Sequence, residues 1–209
     1  MSLFTLSVLT ADTIVSVHGD PIETGGPTLA SFQDLVASWT TTNSYNNVSI
    51  EVNLFGTPGT FSGTAYLTKT IGPGTTLSDQ IVEESFTANL TLFPFQSSIP
   101  LFQGLTLGPG TFYLTLSSST DPNAGFGWTA ASHDQSITTG PGVTRNGDLT
   151  SFGNSQALFA PASVFSPLPF DEPSPLSFSV TGALAPVPEP NEIFIMGVAL
   201  LGLYLKTRM

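Results

Sequence analysis

Trp128, His133 and Asp134 are the residues of this chain whose types and spacing come nearest to a ligand site. They follow the turn-forming run Asp121-Pro122-Asn123-Ala124-Gly125-Phe126-Gly127, which gathers an indole, an imidazole and a carboxylate at one loop-rich edge. An indole face gives a sugar ring an apolar floor, while His133 and Asp134 take its hydroxyls. The same residues have a plainer reading, in which Trp128 fills a core and Asp121-Pro122-Asn123 is only a turn. The core reading is the one expected for Trp128, as it is for Trp39 in Leu35-Val36-Ala37-Ser38-Trp39.

Other constellations carry less. His18 and His133 are the two histidines, and the chain holds no Gly-x-Ser-x-Gly elbow, phosphate-binding loop, dinucleotide fingerprint or His-Glu-x-x-His helix. Glu83 and Glu84 are adjacent, so on a strand they point to opposite faces and cannot flank one glycosidic bond. Asp20 with Glu23, Asp121, and Asp171-Glu172 are oxygen ligands of the kind calcium takes, but none has the spacing of a calcium loop. They read as a solvated acidic rim. Asn47-Val48-Ser49 and Asn89-Leu90-Thr91 match the glycosylation sequon, yet both fall in strand-like sequence. No enzyme and no cofactor is expected.

The elements that must position these residues are strands. Val48, Ile50, Val52 and Leu54 alternate with polar neighbours, as do Phe112, Leu114 and Leu116, and Leu176, Phe178 and Val180. Each such run has one buried and one wet face. Further strands are expected over Thr13–Val17, Phe32–Thr41, Thr64–Ile71, Ile81–Leu92 and Gly127–Ala131, and Leu29–Val36 competes as a helix. Pro58-Gly59, Gly72-Pro73-Gly74, Gly108-Pro109-Gly110 and Gly140-Pro141-Gly142 fix φ at proline and free it at glycine, which predicts tight reversals. Many short strands with regular turn signals predict a single β-sandwich of jelly-roll type over residues 12–185.

Composition agrees with this. The 209 residues include 20 Gly, 17 Pro and no Cys, which excludes disulfides and thiolate metal sites. The net charge of −11 is held by the part of the chain before Val187, where Lys69 and Arg145 are the only cations. Such a surface repels nucleic acid and anionic lipid. At the other end, Met1–Ala11 is apolar and closes on a small residue, so residues 1–11 read either as the remnant of a signal peptide whose start lies upstream or as a first strand.

Residues 186–209 are of a different kind. Val187-Pro188-Glu189-Pro190 precedes an apolar run from Ile193 to Leu205, and Lys206 and Arg208 follow it. As a helix the run rises roughly 20 Å against a hydrocarbon core of about 30 Å, so it spans a thinned bilayer or spans with snorkelling basic ends. The basic end belongs on the cytoplasmic side, which puts the sandwich outside. This tail resembles the PEP-CTERM sorting signal of Gram-negative bacteria, with Lys206-Thr207-Arg208 where that family usually has a cluster of arginines. The resemblance implies export, a transient inner-membrane anchor through the C-terminal hydrophobic helix, and processing near Pro188-Glu189-Pro190 by an exosortase-type enzyme. The expectation is therefore an exported cell-surface or extracellular-matrix protein, structural or adhesive in an exopolysaccharide matrix. A carbohydrate-binding module and, further off, a polysaccharide-acting enzyme are the alternatives.

Overall fold

The alternating runs become strands paired through their buried faces. The computed structural model describes residues 11–19, 25–91, 96–118, 126–131, 135–152, 157–169 and 174–186. Among them the strands are β1 (Asp12–His18), β2 (Gln33–Thr41), β3 (Tyr45–Gly56), β4 (Gly59–Thr68), β5 (Gln80–Leu90) and β6 (Gln96–Leu107). Then come β7 (Gly110–Ser118), β8 (Phe126–Trp128), β9 (Ser136–Thr139), β10 (Val143–Phe152), β11 (Ser166–Pro167) and β12 (Phe178–Leu184). They form two antiparallel sheets, β6-β3-β12-β1-β9 with β8 added to β3, and β11-β10-β2-β7-β4-β5.

The register explains the shared core. Val180 pairs with Ile50 and Phe178 with Val52 in the first sheet, while Leu35 pairs with Leu116, Ala37 with Leu114 and Trp39 with Phe112 in the second. All ten are buried. The two sheets meet through aromatic rings: Trp39 lies 5.7 Å from Phe112 of its own sheet and 5.9 Å from Phe178 of the other, and Phe61 stacks on Phe126 across the interface at 4.9 Å. These centroid distances are those of attractive ring pairs. The architecture is thus all-β and sandwich-like.

The strand expected over Phe32–Thr41 forms as β2, and its helical competitor over Leu29–Val36 does not; β2 is buried along nearly its whole length because it is covered on both faces. The Gly-Pro-Gly segments make the expected tight reversals where the Thr75 N–H donates to the Gly72 carbonyl at 3.0 Å and the Val143 N–H to the Gly140 carbonyl at 3.2 Å, and Pro58, Pro109 and Pro141 also stand at corners that carry the chain from one sheet to the other. Gly110 and Gly142 take φ of +146° and +69° there, a region that a residue with a β-carbon enters only with strain.

Edge strands are each blunted against further pairing. Long β5 carries exposed Glu83 and Glu84, β6 contains Pro100 and three register shifts, β9 has 4 residues, and β11 is the dipeptide Ser166–Pro167. Among the described residues no helix is long and apolar enough to cross a membrane. The apolar run 193–205, like residues 1–10, lies outside the described residues.

Candidate functional site

Trp128 is not available to a ligand. Pairing on β3 sets it opposite Leu54, whose side chain faces the core, so the indole points inward as well. It is fully buried, and its Nε1–H donates to the Ser177 carbonyl at 2.8 Å. That bond satisfies the one polar atom of the ring, and the role of sugar platform is withdrawn. His133 and Asp134 lie outside the described residues, as do Val187, Pro188, Glu189, Pro190, Lys206 and Arg208, and the calcium candidates Asp20, Glu23, Asp121, Asp171 and Glu172. Among the described residues no group of three His, Asp or Glu side chains could hold a metal ion. Glu83 pairs with Tyr66 and Glu84 with Ala65, which puts the two carboxylates on opposite faces of β5.

A concave polar feature of the described surface lies elsewhere, on the outer face of the β2-β7-β4-β5 region. Most core-facing residues of these strands are apolar, so alternation sends their polar neighbours outward. On β2 this residue is Asp34, on β7 Ser117, on β4 Ser62 and Thr64, and on β5 Ser85. Thr64 pairs with Ser117 on one side and with Ser85 on the other, forming a row of hydroxyls across three adjacent strands. With Ser31 and Ser118 they line a hollow of about 600 Å³. Gly63 lies in its floor, and no side chain could replace it: a β-carbon there would stand 2.6 Å from the Ser117 carbonyl oxygen and 2.7 Å from the Phe86 ring.

A strap made of residues 157–163 crosses the same face and forms one wall of the hollow through Ala157 and Leu158. Ser163 ties it down, donating from Oγ to Asp34 Oδ2 at 3.0 Å and accepting from the Ala157 N–H at 2.9 Å. Ser151 of β10 donates to the same Asp34 oxygen at 3.1 Å. Farther along, the Gly72 N–H donates to the Pro161 carbonyl at 2.8 Å, and the Phe159 ring meets Tyr66 edge-on at 5.5 Å. Val36 is fully buried and Thr115 likewise, although both face away from the core, because this face is covered.

Electrostatically the hollow is acidic and without a cation of its own. Tyr66 holds its proton beyond the ordinary phenol range, first because it is partly desolvated and then because Glu83 and Asp34 are near, while a hydrogen bond with Thr64 acts the other way. It serves as a neutral neighbour rather than a base. Asp34 is the one carboxylate among the lining residues, where glycoside hydrolysis takes a flanking pair. Sequence reading passed over these hydroxyls because each is an ordinary wet-face residue of a strand. The only signal was that the wet positions of β4, β5 and β7 are so often Ser or Thr.

No protein-family model matches the chain, no curated protein matches it, and no solved structure does.

Proposed function

We propose that the protein is an exported component of the cell envelope or extracellular matrix, held briefly in the inner membrane and processed near Pro188-Glu189-Pro190 by an exosortase-type enzyme. The tail carries this reading, through its Val-Pro-Glu-Pro motif, its short apolar run and its basic end. The place where the sandwich closes supports it. β12 ends at Leu184, and the Ala185 N–H donates to the Ser44 carbonyl at 2.8 Å, two residues ahead of the motif. Cleavage near the motif would leave the strand pairing of β12 with β3 and β1 in place. The sandwich itself, with filled core and blunted edges, suits a structural or adhesive role in an exopolysaccharide matrix. Its winding is of jelly-roll type in this reading, supported by the repeated passage of the chain from one sheet to the other.

Replacing Pro188, Glu189 and Pro190 together with alanine tests the proposal. Export should persist while processing fails, so that the full-length protein accumulates in the inner-membrane fraction of a host that has the sorting enzyme. Normal maturation and release of the variant would overturn the assignment. The carbohydrate-binding reading draws its support from the hydroxyl-lined hollow rather than from Trp128.

A further inference from the structure

We propose that the hollow beside Asp34 is a binding site for a neutral saccharide unit. Its volume of about 600 Å³ falls in the range of small-molecule sites, roughly 300 to 1,000 Å³. Its walls are chemically matched to a polyol. A serine or threonine hydroxyl both donates and accepts, as each sugar hydroxyl does, and Thr64, Ser85 and Ser117 present such groups in one row across neighbouring strands. Asp34 lines the same hollow, its carboxylate held in position by Ser151 and Ser163. Leu158, fully exposed at the rim, gives the C–H face of a ring an apolar contact that solvent does not.

Rigidity favours binding too. The hydroxyls stand on paired strands, and the strap is anchored to the sheet and to the β4–β5 turn through Ser163 and Pro161, with Ala157 bonded back onto Ser163, which limits the side-chain and loop freedom to be lost when a ligand arrives. Charge decides between neutral and acidic glycans. The chain carries −11, Asp34 lines the hollow, and Glu83 lies on the same face of β5 as Ser85, two residues away. Among the described residues the cations are Lys69 and Arg145, and Arg145 is engaged with Asp148. A carboxylated or sulfated sugar would meet repulsion with no compensating partner. The site does not depend on the sorting tail, so failure of either proposal leaves the other standing.

Isothermal titration of the full-length protein, in a zwitterionic detergent free of sugar, tests the site against maltohexaose, cellohexaose and mannohexaose, with trigalacturonate as the acidic comparison. At least one neutral oligosaccharide should bind with Kd below about 1 mM, and more tightly than trigalacturonate. Ser85→Phe fills the hollow from an exposed strand position that accepts aromatics, and should weaken that binding at least about tenfold. Thr64→Val removes one hydroxyl at nearly constant volume and should weaken it roughly fivefold. Thr144→Phe, exposed on β10 at the end remote from Ser151, should bind as the parent does. Thermal melting of each variant verifies that it is folded. The proposal fails if none of the neutral oligosaccharides binds, if trigalacturonate binds more tightly than all of them, or if folded Ser85→Phe binds like the parent.

Discussion

Asp34 and Asp148 are both 1 % exposed, stand on neighbouring strands, and face opposite sides of the same sheet. Asp34 pairs with Ser151 and looks outward, while Asp148 pairs with Ala37 and looks into the core. Their partners differ accordingly. Asp148 Oδ2 accepts from Arg145 Nη2 at 2.6 Å and from the Leu176 N–H at 2.7 Å. Asp34 Oδ2 accepts from two hydroxyls. On the core side a carboxylate has no water to turn to, and a full opposite charge is needed against the cost of desolvation. On the outer side, under a thin strap and beside an open hollow, the hydroxyl dipoles of Ser151 and Ser163 share in holding Asp34. The backbone makes the ion pair feasible. Residues three apart on an unbroken strand point opposite ways, but the register slips between Arg145 and Gly147, where Gly147 takes φ of +101°. That bulge supplies the extra residue that turns both Arg145 and Asp148 onto the core face.

Breaking the inner carboxylate should therefore cost the most. Asp148→Ala leaves Arg145 half-buried without this partner and the Leu176 N–H without its acceptor, a loss of about 3 to 5 kcal/mol. Asp148→Asn keeps an acceptor for the amide and should fall between the parent and the alanine variant. Urea titration of the three proteins measures both, and equal stability of alanine and parent would remove the ion pair from the account. The outer carboxylate should matter less. Asp34→Ala deprives the buried Ser151 and Ser163 hydroxyls of an acceptor, but a hydroxyl can rotate toward another, so the expected loss is about 1 to 3 kcal/mol. The strap should loosen with it, read as faster hydrogen exchange at the Ala157 amide, whose acceptor is Ser163 Oγ.

A third aspartate, Asp79, only partly covered, sets the lower limit of the comparison. Asp79 closes the short 3₁₀ turn Leu77–Asp79 by accepting from the Thr76 N–H at 2.9 Å and from the Thr76 hydroxyl at 3.0 Å. The backbone bond first, and the hydroxyl second, lower its pKa from the ordinary 3.8. A depressed carboxylate pKa stabilises the fold fully above the ordinary value and ceases to do so as the pH falls through the folded one. Asp79→Asn should accordingly be slightly less stable than the parent at neutral pH, with the gap closing below pH 3.8. A gap of the same size at pH 7 and at about pH 2.5 would show that the charge of Asp79 is not its source.

How much of this could be read along the chain depends on the burial of each strand. β3, β7 and β12 were legible from Val48–Leu54, Phe112–Leu116 and Leu176–Val180 because polar and apolar residues alternate there, even where the strap covers Thr115 on the outer face of β7. β2 was ambiguous with a helix because the strap and the core cover it on both faces and erase the period of two. β6 was missed because Pro100 argues against a strand, although an edge tolerates it. β10 was missed because Arg145-Asn146-Gly147-Asp148 reads as a polar turn, when it is a bulge with a buried ion pair. Trp128 is buried as the core reading expected, but the residue type says only that an indole is present, and it is the pairing with Leu54 that says which way it points.

The sequence by itself determined the class of the protein: alternation and Pro-Gly punctuation make strands and corners, the lack of cysteine leaves packing to hold them, and the tail stands apart in composition from the domain before it. Those are local properties, set by each residue and its near neighbours. The tertiary structure alone decided which Pro-Gly corners join which sheets, that Asp34 and Asp148 are both buried, and that hydroxyls from β4, β5 and β7 share one hollow. The physical reason is register. A side chain on a strand has two possible directions, and a bulge or a one-residue slip exchanges them, so the pairing of segments as distant as Asp34 and Ser151 fixes what residue type cannot.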